Sequence, residues 1–210
     1  MIKAVLLDFG GVYIESPFAA LADVAAEMGV DYERLSQITF GDYHADNDHA
    51  WHQLERGEIS LEQAREAILR LGAQQQLETD IYQMFARFAG MERMMRGPLL
   101  DKTLEWRERG LKLGMITNNI REFTGWRELF PFALDEVFEY VADSCYLGLR
   151  KPNPEIFHHT LNALGLKPGE ALFLDDYPSN VAAAEACGIQ SFLVQGPIED
   201  SIRWVEEQLG

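Results

Sequence analysis

Three carboxylates stand at the ends of apolar runs, where packing has no use for them. Asp8 follows Ala4-Val5-Leu6-Leu7, and the pair Asp175-Asp176 follows Ala171-Leu172-Phe173-Leu174. A carboxylate at the end of a buried strand serves as a nucleophile, a metal ligand or a cap. Gly10-Gly11 comes next after Asp8-Phe9, which lets the backbone turn sharply and brings main-chain N–H and C=O groups close to an ion or a phosphate. Asp175 and Asp176 carry adjacent like charges that repel unless a cation is present, so the pair suggests a hard metal such as Mg²⁺. A further run, Leu113-Gly114-Met115-Ile116, ends in Thr117-Asn118, a hydroxyl and an amide able to donate to phosphate oxygens but equally at home in a turn. Lys151 sits between Arg150 and Pro152-Asn153-Pro154, where prolines fix the chain just before a helix. Each signal alone also reads as a cap, a turn or a solvated loop. Their common place at strand ends joins them.

The runs that carry these residues show no alternation, as expected of strands buried on both faces of a parallel sheet. Ser191-Phe192-Leu193-Val194, after Gly188, is a fourth. Helical patterns over 98–109, 154–164, 178–187 and 198–208 alternate with them, the first two opening at proline and stopping at glycine. Strand and helix in alternation predict an α/β fold with a doubly wound, Rossmann-like parallel sheet, whose sites gather at the C-terminal ends of the strands. From 16 to 93 the alternation stops. Amphipathic patterns over 17–29, 60–71 and 77–89 replace it, the second opened by the capping-box pair Ser60 and Gln63. The division expected is a core of residues 1–15 and 94–210 with an inserted helical cap of residues 16–93.

Composition narrows the partners. The chain has 210 residues, 18 Lys and Arg against 34 Asp and Glu, a net charge of −16, and 47% hydrophobic residues. That charge argues against nucleic acid or an anionic membrane, which are bound by clustered Lys and Arg, and leaves a small phosphate ester whose charge a metal neutralises. The two cysteines, Cys145 and Cys187, form no metal-type pair or disulfide framework. With no signal-peptide pattern and no membrane-length apolar run, the expectation is a soluble cytoplasmic protein.

Taken in order, Asp8-Phe9-Gly10-Gly11-Val12, Thr117-Asn118, Lys151-Pro152 and Asp175-Asp176 with Ser179-Asn180-Val181 resemble the four signatures of the haloacid dehalogenase superfamily of phosphatases and related hydrolases. The likeness spans nearly the whole chain, including an insertion where that family carries a helical cap. The segment Glu55-Arg56-Gly57-Glu58-Ile59-Ser60 resembles a cap loop of the family's sugar-phosphate phosphatases. The resemblance implies a Mg²⁺-dependent phosphomonoesterase acting on a small phosphorylated metabolite, a sugar phosphate for example. Asp8 is then the nucleophile that forms an aspartyl-phosphate. Asp8, the Gly10 carbonyl oxygen and Asp176 hold the metal, with Asp175 a ligand directly or through water. Thr117, Asn118 and Lys151 bind the phosphoryl oxygens, and Lys151 also keeps Asp8 ionised.

The sequence departs from the family pattern at Gly10, where such phosphatases usually carry a second Asp as general acid and base. Water or a cap residue then has to supply protons, and His44, His49, His52 and Glu58 are the candidates. Gly10 also fits two other readings. One is a 2-haloacid dehalogenase, which has no need of the doubled Asp175-Asp176. The other is a non-catalytic module that binds a phosphate ligand or a protein, which intact Asp8, Lys151 and Asp175-Asp176 oppose.

Overall fold

The computed structural model describes residues 1–90 and 95–210. Strands β1 (Ala4–Leu7), β2 (Lys112–Thr117), β3 (Tyr140–Asp143), β4 (Ala171–Asp175) and β5 (Gln190–Leu193) form one sheet in the order β3-β2-β1-β4-β5. Every neighbouring pair is parallel. The helices are α1 (Pro17–Met28), α2 (Tyr32–Thr39), α3 (Ala50–Glu55), α4 (Leu61–Gln74), α5 (Ile81–Gly90), α6 (Gly97–Glu108), α7 (Leu134–Val137), α8 (Ser144–Leu147), α9 (Pro154–Leu164), α10 (Pro178–Ala186) and α11 (Ile198–Leu209).

The runs without alternation become strands covered on both sides. Val5 and Leu7 of β1 pack with Leu113, Met115, Leu172 and Leu174 against Leu99 and Trp106 of α6 and Val205 of α11. Ala4 and Leu6 point the other way, toward Ile156, Phe157 and Leu161 of α9 and Ala184 of α10. Each β1 residue is fully buried. Burial of this kind stabilises by roughly 1.5–3 kcal/mol for each large aliphatic side chain.

Helices α1 to α5 come between β1 and β2 and share a separate apolar cluster that includes Leu21, Ile38, Phe40, Trp51, Ile68 and Met84. The capping box at α4 forms as expected: Ser60 Oγ accepts from Gln63 N at 3.3 Å, and Gln63 Oε1 accepts from Ser60 N at 2.9 Å. The expected cap boundary at 93–94 lies outside the described residues.

Three differences from the sequence reading have physical reasons. β3 is a short edge strand, half-buried at Tyr140 and Val141, so it leaves no continuous apolar run. The pattern over 77–89 begins its helix only at Ile81, and α2 and α3, of eight and six residues, are too short to show a period. The fourth run forms its strand one residue earlier than expected, at Gln190–Leu193.

From β1 the chain proceeds to β2 and β3 on one side and later to β4 and β5 on the other, so the order reverses between β1 and β4. Leu7 pairs with Leu174 across that point. In open α/β sheets a crevice opens there, beyond the carboxyl ends of the strands.

Candidate active site

Asp8, the first residue beyond β1, donates its backbone N–H to the Leu174 carbonyl oxygen at 2.9 Å, which sets it beside the end of β4. One ligand atom each from Asp8, Asp175 and Asp176 lie within 4.8 Å of one another. Lys151 is buried between two of these carboxylates, its Nζ 2.8 Å from Asp8 Oδ1 and 2.6 Å from Asp175 Oδ2. Asn153 and Pro154 open α9 just after it, the Asn153 side chain accepting from Glu155 N.

The two halves of the aspartate pair differ. Asp175 is fully buried and both its oxygens are engaged: Oδ1 accepts from Tyr177 N at 2.8 Å and Asn180 Nδ2 at 3.0 Å, while Oδ2 meets Lys151. Asp176 faces the cavity. It reaches that position because Gly11 has φ +75° and no side chain; a Cβ there would overlap the Asp176 carboxylate. Gly10 differs, since a Cβ on it would meet only Pro17 Cδ at 3.4 Å, an ordinary contact.

Charge is out of balance here. Burial pushes the Asp8 carboxyl well above its usual range, against the lowering effect of Lys151 and with the charges of Asp175 and Asp176 adding to the rise. Burial, then the Asp175 charge, pushes Asp176 up to about 6. Burial draws the Lys151 ammonium down, but Asp175 and Asp8 outweigh it and hold it above its ordinary value. One lysine faces three carboxylates, and beside them Asn180 Oδ1 is a buried acceptor without a hydrogen-bond partner among the described residues. Those donors fit a hard divalent cation, which favours carboxylate and carbonyl oxygens.

Asn118 is engaged by the protein itself. Its Nδ2 donates to the Lys151 carbonyl oxygen at 3.0 Å and to the Tyr43 hydroxyl at 3.2 Å, and its Oδ1 accepts from Lys151 N at 2.8 Å, so it staples the lysine's backbone to the end of β2. Thr117, buried at the end of β2, lines the same cavity as Asp8, Gly10, Asn118, Lys151 and Asp176. Of the proton-donor candidates in the cap, none lines it. Glu58 is paired with Arg56 at 2.7 Å, His49 caps α3 by accepting from Trp51 N, His52 accepts from Asn47 N, and exposed His44 packs beside the Tyr177 ring.

A second buried network was missed by sequence reasoning. Glu55, at the end of α3, accepts from the Tyr43 hydroxyl at 2.8 Å and pairs with Arg150 Nε at 2.8 Å. The Arg150 guanidinium lies over the Tyr43 ring, 4.6 Å from its centroid. Burial first, and then the Glu55 charge, pushes the Tyr43 phenol well above its usual range. Ser144 Oγ donates to the Glu55 carbonyl oxygen at 2.6 Å and accepts from Asn119 N at 2.9 Å, tying the start of α8 to the helical insertion and to the loop after β2. The available signal was Arg150 beside Lys151: two adjacent cations need two separate anions if both are buried.

No helix among the described residues is long and apolar enough to cross a membrane. The model of haloacid dehalogenase-like hydrolases matches residues 2–188. The chain is 28% identical over 215 residues to acyl-CoA dehydrogenase family member 10 of Mus musculus, a match covering 99% of this chain and 19% of that protein. It is 34% identical over 90 residues to a phosphatase of Mycobacterium tuberculosis, covering 43% of this chain and 42% of the relative. The chain therefore spans only about a fifth of the mouse protein and under half of the mycobacterial one. Its fold matches a crystal structure of a haloacid dehalogenase family enzyme from Bacteroides thetaiotaomicron, solved in complex with magnesium and inorganic phosphate, with TM-score 0.64 and 23% identity over 93% of this chain and 95% of the other. The chain belongs to the haloacid dehalogenase-like hydrolase family.

Proposed function

We propose that the protein is a Mg²⁺-dependent phosphomonoesterase that acts on a small phosphorylated metabolite through an aspartyl-phosphate on Asp8. The observation that carries this reading is Lys151 clasped between Asp8 and Asp175 at the switch point of the sheet, with Asp176 close by. The names of the mycobacterial relative and of the Bacteroides complex with magnesium and phosphate support it.

A bound Mg²⁺ would be held by Asp8, the Gly10 carbonyl oxygen and Asp176, and supplies charge neutralisation between carboxylate and phosphate. Asp8 attacks phosphorus and the ester oxygen leaves with the bonding pair. Water then attacks phosphorus and the Asp8 carboxylate departs, releasing inorganic phosphate. Lys151 binds the transferring phosphoryl oxygens and holds Asp8 in its ionised, reactive form. Thr117 offers its hydroxyl to the same oxygens, and Asn118 positions both by fixing the Lys151 backbone. Asp175 acts from behind, orienting Lys151 and the entry to α10. With glycine at position 10 the leaving oxygen takes its proton from water.

Residues 16–93 serve as a lid that contacts the alcohol portion, while the core, residues 1–15 and 94–210, holds the phosphate. The two free cysteines support a cytoplasmic setting. The test is phosphate release from p-nitrophenyl phosphate with Mg²⁺ and with EDTA, run beside halide release from chloroacetate. Release that needs Mg²⁺, with no halide, is the expected result. Full activity in EDTA on metal-free protein removes the metal role, halide release turns the reading to dehalogenation, and silence in both assays leaves a binding module.

A further inference from the structure

We propose that the ester cleaved at Asp8 carries an apolar alcohol, an alkyl or aryl group, rather than a sugar; this rests on the phosphatase reading above. The cavity that begins at Asp8 and Lys151 has a volume of about 380 Å³ and continues between the helical insertion and the loop after β2. Beyond the acidic end its wall is Phe18 of α1, Met84 and Phe85 of α5, and Ile120 and Phe123 after β2. Trp51 extends that wall, its ring 6.0 Å from that of Phe85.

Several polar groups at this end already have partners. The Tyr82 hydroxyl donates to Glu62 at 2.9 Å, Glu122 accepts from Leu61 N at 2.9 Å, and Glu55 is held by Tyr43 and Arg150. One buried donor, Trp51 Nε1, has no partner among the described residues. A sugar's hydroxyls would leave water for a wall of hydrocarbon and find few partners, whereas each methylene gains from leaving water. The volume is at the small end of ligand clefts, enough for one medium-length chain or one aromatic system.

The experiment compares kcat/KM with Mg²⁺ for ethyl, butyl, hexyl and octyl phosphate, with glucose 1-phosphate and glycerol 3-phosphate alongside. We expect a rise of about threefold per methylene, carried by KM, and octyl phosphate preferred over glucose 1-phosphate on the order of a hundredfold. The Phe85→Asp variant should flatten the series, lowering kcat/KM for octyl phosphate far more than for ethyl phosphate; if that variant does not fold, the wild-type series decides alone. A flat series, or preference for glucose 1-phosphate, overturns the proposal and leaves the phosphatase reading standing. Calorimetric binding of octylphosphonate and ethylphosphonate, which have no ester bond, separates the remaining cases. If no ester is cleaved but octylphosphonate binds far more tightly, the catalytic reading fails and the apolar ligand class holds. If no ester is cleaved and the two phosphonates bind alike, both fall.

Discussion

Arg150 and Lys151 are neighbours in the chain, both are buried, and each reaches a different set of anions. Arg150 meets Glu55 at 2.8 Å with the Tyr43 ring beneath it, and Asp46 stands farther off at 3.7 Å. Lys151 faces Asp8 and Asp175 directly and Asp176 nearby. The first network is closed, its groups bonding one another, and it joins α3 of the insertion to the segment entering α9. The second carries excess negative charge at a cavity wall. A balanced buried pair does nothing further with a ligand, whereas an unbalanced one has affinity left for a cation and for the chemistry that cation enables. Removing a carboxylate should therefore have opposite consequences in the two places.

The largest effect is expected at Asp8. Asp8→Asn should lower phosphate release by about a thousandfold or more, since the amide cannot form the aspartyl-phosphate. Its stability in urea, without metal, should match or exceed the wild type, because Lys151 keeps Asp175 and the crowding eases. Retention of more than a few per cent of activity, or a clear loss of stability, breaks the contrast.

At the closed network the sign reverses. Glu55→Ala leaves the Arg150 charge buried and the Tyr43 hydroxyl without its acceptor, and should cost about 3–5 kcal/mol in urea denaturation. The double variant Glu55→Leu with Arg150→Met removes both charges and should recover most of that loss. A double variant as unstable as the single one would mean that the pair contributes by shape and not by charge.

Adding a carboxylate sharpens the comparison from the other side. Gly10 accepts a side chain without overlap, unlike Gly11 with its positive φ, so Gly10→Asp should fold. It places an acid near the leaving oxygen, and turnover of alkyl phosphates should rise by up to about a hundredfold with little change for p-nitrophenyl phosphate, whose phenolate needs no proton. Equal effects on both esters would show that the added carboxyl does not protonate the leaving group.

The smallest effect concerns His52, which packs against Tyr43 in the closed network. Burial, then the charges of Arg150 and His49, lowers its pKa from 6.5 to about 3. Between those values the unfolded chain binds a proton that the folded one does not, so stability falls as pH drops from about 6.5 toward 3. His52→Gln should flatten that part of the Tm-against-pH curve by a few degrees. Identical curves would show that the site does not hold the imidazole neutral.

Sequence spacing was enough for β1, β2 and β4, because strands buried on both faces are uninterrupted apolar runs, and for the residues at their ends. It also gave the capping box of α4 and the stops at Gly165 and Gly188. The region around Glu55 was illegible for a physical reason. Glu, Arg and Tyr within ordinary polar stretches look like solvated surface, and only the packing of α3 on the core buries them together. β3 escaped for a related reason: its edge position leaves Tyr140 and Val141 partly in water, so there was no run to see, although Asp143 at its end accepts from Asn119 and braces the site loop. The cavity wall came from four separate segments, in which spacing carries no sign of a shared surface.

The insertion between β1 and β2 also dictates the order in which the molecule is assembled. Ala4 pairs with Lys112 on one side and Ala171 on the other, so the central strand emerges first and waits for both partners. The helices of the insertion have their own apolar cluster, made mainly from residues that precede β2. During synthesis the insertion can take shape while β1 is still unpaired, and β1 gains its second partner only when β4 arrives. Asp175 and Asp176 come at the end of β4, so the carboxylates that crowd Asp8 are brought together only when that strand joins, with Lys151 already in the chain to receive them.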